Sequence, residues 1–142
     1  MTNSAGNRCV VRQSPSDPNR WFFDFDGAAP GGRGGASVRL DQAQGLVSID
    51  AVHKNAKVGS RSTGALLAEG LNQIGIPRPL ILEGHNVEKT TARILALGGT
   101  GQGTLIGNLL ADAVTALGGS IAKWEPIPDG QAWHLRIHVT YP

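Results

Sequence analysis

The sequence predicts an α+β fold, a mostly antiparallel sheet with about three helices packed on one face of a single domain. Three observations carry this. The hydrophobic pattern runs in the order strands, helices, strands, with no repeat at the 20–50-residue periods of solenoids. Residues 133–141 alternate strictly between apolar and polar. Between the strand-like blocks lie apolar stripes at helical spacing, each ended by glycine.

Taken in order, residues 1–20 are polar and turn-rich (Ser14-Pro15-Ser16-Asp17-Pro18-Asn19) and read as a flexible N-terminal segment, so the folded domain is placed at 21–142. Trp21 to Asp26 is aromatic and then alternating, a strand with Trp21, Phe23 and Phe25 on one face. Residues 27–36 hold too much glycine for regular structure and predict a loop. Ser37–Leu40 and Leu46–His53 predict two strands around a polar turn.

The period then changes. Ser62 or Thr63 caps a first helix carrying Leu66, Leu67, Leu71 and Ile74, which Gly75 ends. Pro77-Arg78-Pro79 forces an extended entry into a short strand, Leu80-Ile81-Leu82. Asn86 is the expected cap of a second helix reaching about Leu97, stopped by the glycines from Gly98. Leu105, Leu109, Leu110, Ala113, Val114 and Leu117 form the stripe of a third, with Gly118-Gly119 as its C-cap. A closing hairpin is expected, with strands at Ile121–Glu125 and Gln131–Tyr141 and a turn at Pro126–Gly130.

Composition bounds the function. The 142 residues are enough for one domain and its core. Hydrophobic residues make up 40% and charged residues 17%, so the chain is globular and not a disordered charged tail. Glycine, 20 of 142, has no collagen-like period. No apolar run approaches the roughly 18 residues of a membrane span, and the polar start from Met1 to Arg12 does not resemble a signal peptide. One cysteine, Cys9, supports neither an internal disulfide nor a cysteine-based zinc site. The net charge of +2 and pI near 9.0 permit an anionic partner without demanding one.

The last strand concentrates the chemistry. Trp133, Leu135, Ile137, Val139 and Tyr141 take one face, and His134, Arg136, His138 and Thr140 the other. Two histidines with an arginine are the parts of metal-independent phosphodiester cleavage. One imidazole takes the 2′-hydroxyl proton, a second acid protonates the leaving oxygen, and arginine steadies charge on phosphorus. A solvated strand face is the alternative reading. His134 and His138 stand roughly 13 Å apart along a strand, too far to grip one phosphorus together. The expected partner is therefore His53, with Lys54 beside it; His85, in a loop after a short strand, is a lesser candidate.

A second constellation, Lys57-Val58-Gly59-Ser60-Arg61-Ser62-Thr63-Gly64, opens the first helix. Hydroxyls, an arginine and free N–H groups at a helix start suit an anion, although the order is not the Walker pattern. The glycines at 98–103 suit a turn between helices. Asp24, Asp26 and Asp50 are weighed as a magnesium site, and the histidines as zinc ligands without a short-spaced pair to support it. There is no G-x-S-x-G elbow.

The run Arg61-Ser62-Thr63-Gly64-x-Leu66-Leu67, Gly75-Ile76-Pro77-Arg78-Pro79, Asn86-Val87, Leu105-Ile106-Gly107, Leu117-Gly118-Gly119 and the closing Thr140-Tyr141 resembles the C-terminal toxin domains of bacterial polymorphic (Rhs-type or contact-dependent) toxins, over about residues 60–141. The resemblance implies a nucleic-acid target, a cognate immunity protein, and delivery into a rival cell as part of a larger toxin. It places no catalytic residue. The stretch Val58–Ala65 is also similar to the acyl-CoA loop of GNAT acetyltransferases, with Leu66 where that pattern has glycine or alanine.

The expectation is thus a small ribonuclease-like domain needing no cofactor and acting on RNA, tRNA among the possible targets. His53 or His138 is the general base or acid, and Arg61 and Arg136 hold phosphate. Lys54, Ser62, Thr63, His134, Thr140 and Tyr141 contact substrate. The alternatives are a nucleotide- or CoA-dependent transferase using residues 57–64, and a non-enzymatic protein-binding module.

Overall fold

A computed structural model describes residues 9–25, 34–53, 63–85 and 87–142, with 51–53 described for backbone only. The elements are β1 (Cys9–Gln13), β2 (Arg20–Phe25), β3 (Gly35–Asp41), β4 (Leu46–His53), α1 (Thr63–Gln73), β5 (Ile81–Gly84), α2 (Lys89–Ala96), α3 (Leu105–Ala116), β6 (Ser120–Asp129) and β7 (Ala132–Thr140). The strands form one sheet in the order β1-β2-β3-β4-β5-β7-β6. Every neighbouring pair is antiparallel except β4–β5, which is parallel and is connected through α1. The fold is α+β with a mostly antiparallel sheet and three helices, as the alternation of periods predicts.

One core sits between the sheet and the helices. Phe23, Phe25, Val38, Leu40, Val47, Ile49, Leu82, Leu135, Ile137 and Val139 supply the sheet side. Leu66, Leu67, Leu71, Leu95, Leu110, Ala113 and Val114 supply the helix side. Each such aliphatic or aromatic side chain contributes about 1.5–3 kcal/mol when fully buried. Two glycines let the layers close. A Cβ on Gly70 would stand 2.5 Å from the Phe23 ring, and one on Gly64 would stand 2.5 Å from the Leu109 carbonyl oxygen of α3.

Three sequence expectations are corrected. Part of the segment expected to be flexible is a strand. Cys9–Gln13 pairs with Phe25–Trp21, Cys9 is buried, and its N–H donates to Glu69 on α1 at 2.9 Å. The domain therefore begins no later than Cys9. The second helix is capped by Glu88 and not by Asn86. Glu88 Oε1 accepts from the Thr91 N–H (2.9 Å) and hydroxyl (2.7 Å). Val87 lies before the helix, and its N–H donates to the Trp133 carbonyl at 3.0 Å. Finally, Pro126-Ile127-Pro128 belongs to strand β6 and not to a turn. β6 is an edge strand, where a residue without an N–H is tolerated and discourages further pairing.

Candidate functional site

The polar side chains of β7 stand on the sheet face away from the helices, since Leu135, Ile137 and Val139 between them are core residues. Register brings Glu83 of β5 directly opposite Arg136, with Ser48 of β4 on its other side. Glu83 is 6% exposed. Arg136 donates from Nε to Glu83 Oε2 at 2.5 Å, and His85 Nε2 lies 2.6 Å from Glu83 Oε1.

His85 follows β5 and is held beside β4, its backbone N–H donating to the Ile49 carbonyl at 3.0 Å. Its Nδ1 lies 3.4 Å from Asp50 Oδ1. Arg20 Nη2 approaches Asp50 Oδ2 at 3.0 Å and Arg20 Nη1 donates to the Ser37 hydroxyl at 2.7 Å, although no N–H is aligned with that buried Asp50 oxygen. A line of paired polar groups thus crosses the sheet from β2 to β7: Arg20, Asp50, His85, Glu83, Arg136.

His134 joins this line by stacking. Its ring lies on that of His85, with centroids 4.4 Å apart and planes 27° apart, while its Nε2 bonds Asp129 Oδ2 at 2.9 Å. Further along β7, His138 Nε2 bonds Glu125 Oε1 at 2.8 Å. That bond is the largest influence holding the Glu125 carboxyl below its usual range; partial desolvation opposes it, and the charges of Lys123, His138 and Arg136 add to it. A carboxylate only accepts hydrogen bonds, so Nε2 of His85, His134 and His138 each carries a hydrogen. His85 faces a second carboxylate, that of Asp50, at Nδ1.

The structure therefore brings together His134, Arg136 and His138 of the expected set, with exposed Thr140 at the end of the same face. It does not bring Tyr141 or Thr63 to them. Tyr141 packs against the core and its phenol donates to the Pro79 carbonyl at 2.7 Å. Burial raises the Tyr141 pKa, with the Arg78 charge opposing. Thr63 opens α1 in the helix layer, across the sheet. The side chain of His53, and Lys54, Arg61 and Ser62, lie outside the described residues, as does most of the 57–64 loop. Gly64, which the transferase reading needs for a pyrophosphate, serves the approach of α1 to α3.

Three residues on this face were not in the expected set or were only minor members of it. His85 stacks on His134, and Glu83 and Asp50 brace it; the His53 side chain lies outside the described residues. The signal available was Leu-Glu-Gly-His, an acid two residues before a histidine, which places both on one face of an extended segment.

Of the three carboxylates of the magnesium reading, Asp24 is paired with Arg12 (3.1 Å) and Asp50 with Arg20, on strands separated by β3, and Asp26 lies outside the described residues. Among the described residues, no group of three His, Cys, Asp or Glu side chains is arranged to hold a metal ion. No helix among them is long and apolar enough to cross a membrane.

No protein-family model matches the sequence, and no curated protein matches it. Among solved structures, the chain is similar to a crystal structure of a protein of unknown function from Aquifex aeolicus VF5, at 16% identity and a TM-score of 0.41, over 96% of this chain and 74% of that one. A likeness this low assigns neither a family nor a function.

Proposed function

We propose that the polar sheet face is a metal-independent ribonuclease centre built on His134, His85 and Arg136. The observation that carries the reading is the stacked imidazole pair, each ring tethered by a carboxylate, beside a fixed guanidinium. Acid–base cleavage of RNA needs two proton-transfer groups within reach of one phosphodiester, and histidine serves for both near neutral pH.

In this reading His134 is the base. It takes the 2′-hydroxyl proton as the 2′-oxygen forms a bond to phosphorus. His85 is the acid, giving a proton to the 5′-oxygen as the P–O5′ bond breaks. The products are a 2′,3′-cyclic phosphate and a 5′-hydroxyl. Arg136 supplies positive charge for the pentacoordinate phosphorus. His138 and Thr140 continue the face and flank the path of the adjoining nucleotide. On the toxin resemblance, the RNA is that of a recipient cell and a cognate immunity protein is the natural partner.

The test exposes purified protein, with EDTA present, to total RNA, tRNA and duplex DNA, and reads the fragment ends. RNA fragments ending in 2′,3′-cyclic phosphate are the expected result. Intact RNA overturns the proposal, and RNA bound without cleavage makes the face a binding surface.

A further inference from the structure

We infer that Glu83 is the positioning residue of this centre, setting which proton of His85 can move and fixing Arg136 beside it; the inference rests on the ribonuclease reading for its catalytic consequence, but not for its structural one. Among the described residues Glu83 is the one buried charged side chain. A buried carboxylate is costly unless paired, and an apolar residue of similar size generally serves stability as well. Leu82 and the neighbouring core already bury the other face of β5, so stability alone does not call for an acid here.

The geometry gives the acid a use. Each Glu83 oxygen takes a different partner, Oε1 the His85 ring and Oε2 the Arg136 guanidinium. The close bond at Nε2 (2.6 Å) orients the ring and commits that hydrogen to Glu83. Nδ1, 3.4 Å from Asp50, is the ring nitrogen outside that bond and is the one assigned to a leaving oxygen. The arrangement has the logic of a carboxylate behind a catalytic imidazole, which fixes tautomer and orientation without itself taking the proton. Asp50 and Arg20 brace the far side of the ring, and His134 stacks on it.

The experiment replaces Glu83 by Gln. The amide keeps the size but offers one acceptor oxygen, so either His85 or Arg136 meets an NH₂ group that cannot accept its hydrogen bond. Two readouts are taken on the full chain. In ¹⁵N-resolved NMR of the ring nitrogens, the wild-type His85 Nε2–H signal is expected to be protected from exchange and far downfield, and to move or vanish in Glu83→Gln, while the His138 signal stays as a control. In RNA cleavage, kcat is expected to fall on the order of 10²–10⁴-fold, the range spanned by loss of a general acid and by loss of an orienting carboxylate.

Glu83→Leu removes the buried charge and covers the case in which Gln fails to fold; it is expected to fold, and to lose both the signal and the turnover. An unchanged His85 signal in a folded variant, or cleavage within a few-fold of wild type, overturns the inference. If the wild-type protein does not cleave RNA, the proposed function falls, and the ring signals still decide whether Glu83 positions His85.

Discussion

The rings of His85 and His134 lie face to face, 4.4 Å between centroids, although 49 positions separate them in the chain and they sit on different strands' ends. Two carboxylates, Glu83 of β5 and Asp129 of β6, hold their Nε2 atoms. If the pair works as a unit, His134→Ala and His85→Ala should each lower kcat for RNA cleavage by about 10²–10⁴. The double variant should lose little more than either alone, because groups acting in one step are not additive. Single-turnover cleavage of a labelled RNA measures all three, and losses that multiply in the double variant would separate the two rings.

Gly70 of α1 illustrates how the helix layer seats on the sheet. Alanine in a helix interior ordinarily gains up to about 1 kcal/mol over glycine. Here the added Cβ would stand 2.5 Å from the Phe23 ring, which is itself 1% exposed and has no room to swing. Gly70→Ala is therefore expected to destabilise the fold by about 1–3 kcal/mol, the usual cost of overpacking. Urea unfolding checks the sign, and a rise in midpoint would mean that α1 shifts freely on β2.

The turn before α3 depends on Thr104. Its hydroxyl donates to the Gly101 carbonyl at 2.6 Å and accepts from the Gly107 N–H at 3.1 Å, and the residue is buried. Gly107 has no room for a side chain, since a Cβ there would lie 2.0 Å from the Gly101 oxygen. The glycines at 101 and 107 thus serve a tight capped turn. Thr104→Ala is expected to cost about 1–2 kcal/mol, and Thr104→Ser to recover most of it, measured by thermal or urea unfolding.

What was legible in the sequence follows from how local each signal is. The alternation of β7 and the stripe of α3 are set by consecutive residues, and both elements appear within a residue or two of their expected bounds. β1 was not legible, because five residues with two polar ones at the end carry little pattern of their own and gain it by pairing with β2. The prolines of β6 pointed to a turn because edge position, which excuses them, is a property of the whole sheet. For the site, the polar face of β7 was readable from period 2, and so were His134, Arg136 and His138 as members of it. Their partners were not. Glu83 and His85 reach Arg136 and His134 through the β5–β7 pairing, and Asp50 reaches His85 through the parallel β4–β5 pairing, neither of which leaves a mark in local sequence.

Tyr141 offers a test in which pH separates a structural role from a substrate contact. Its phenol donates to the Pro79 carbonyl across 62 positions of chain, tying the end of the chain to the entry of β5. Tyr141→Phe removes that bond and keeps the ring, so it should cost about 0.5–1.5 kcal/mol at neutral pH. Burial raises the folded-state pKa above the ordinary value of 10.0, with the Arg78 charge opposing. A group whose neutral form is favoured by folding contributes fully below its unfolded value and loses that contribution as pH rises through the folded value. The advantage of wild type over Tyr141→Phe should therefore be flat up to about pH 10 and shrink above it. Urea midpoints of the two proteins from pH 7 to 11 measure the difference directly. A gap that stays constant across that range would mean that the phenol is no harder to ionise in the fold than in the unfolded chain.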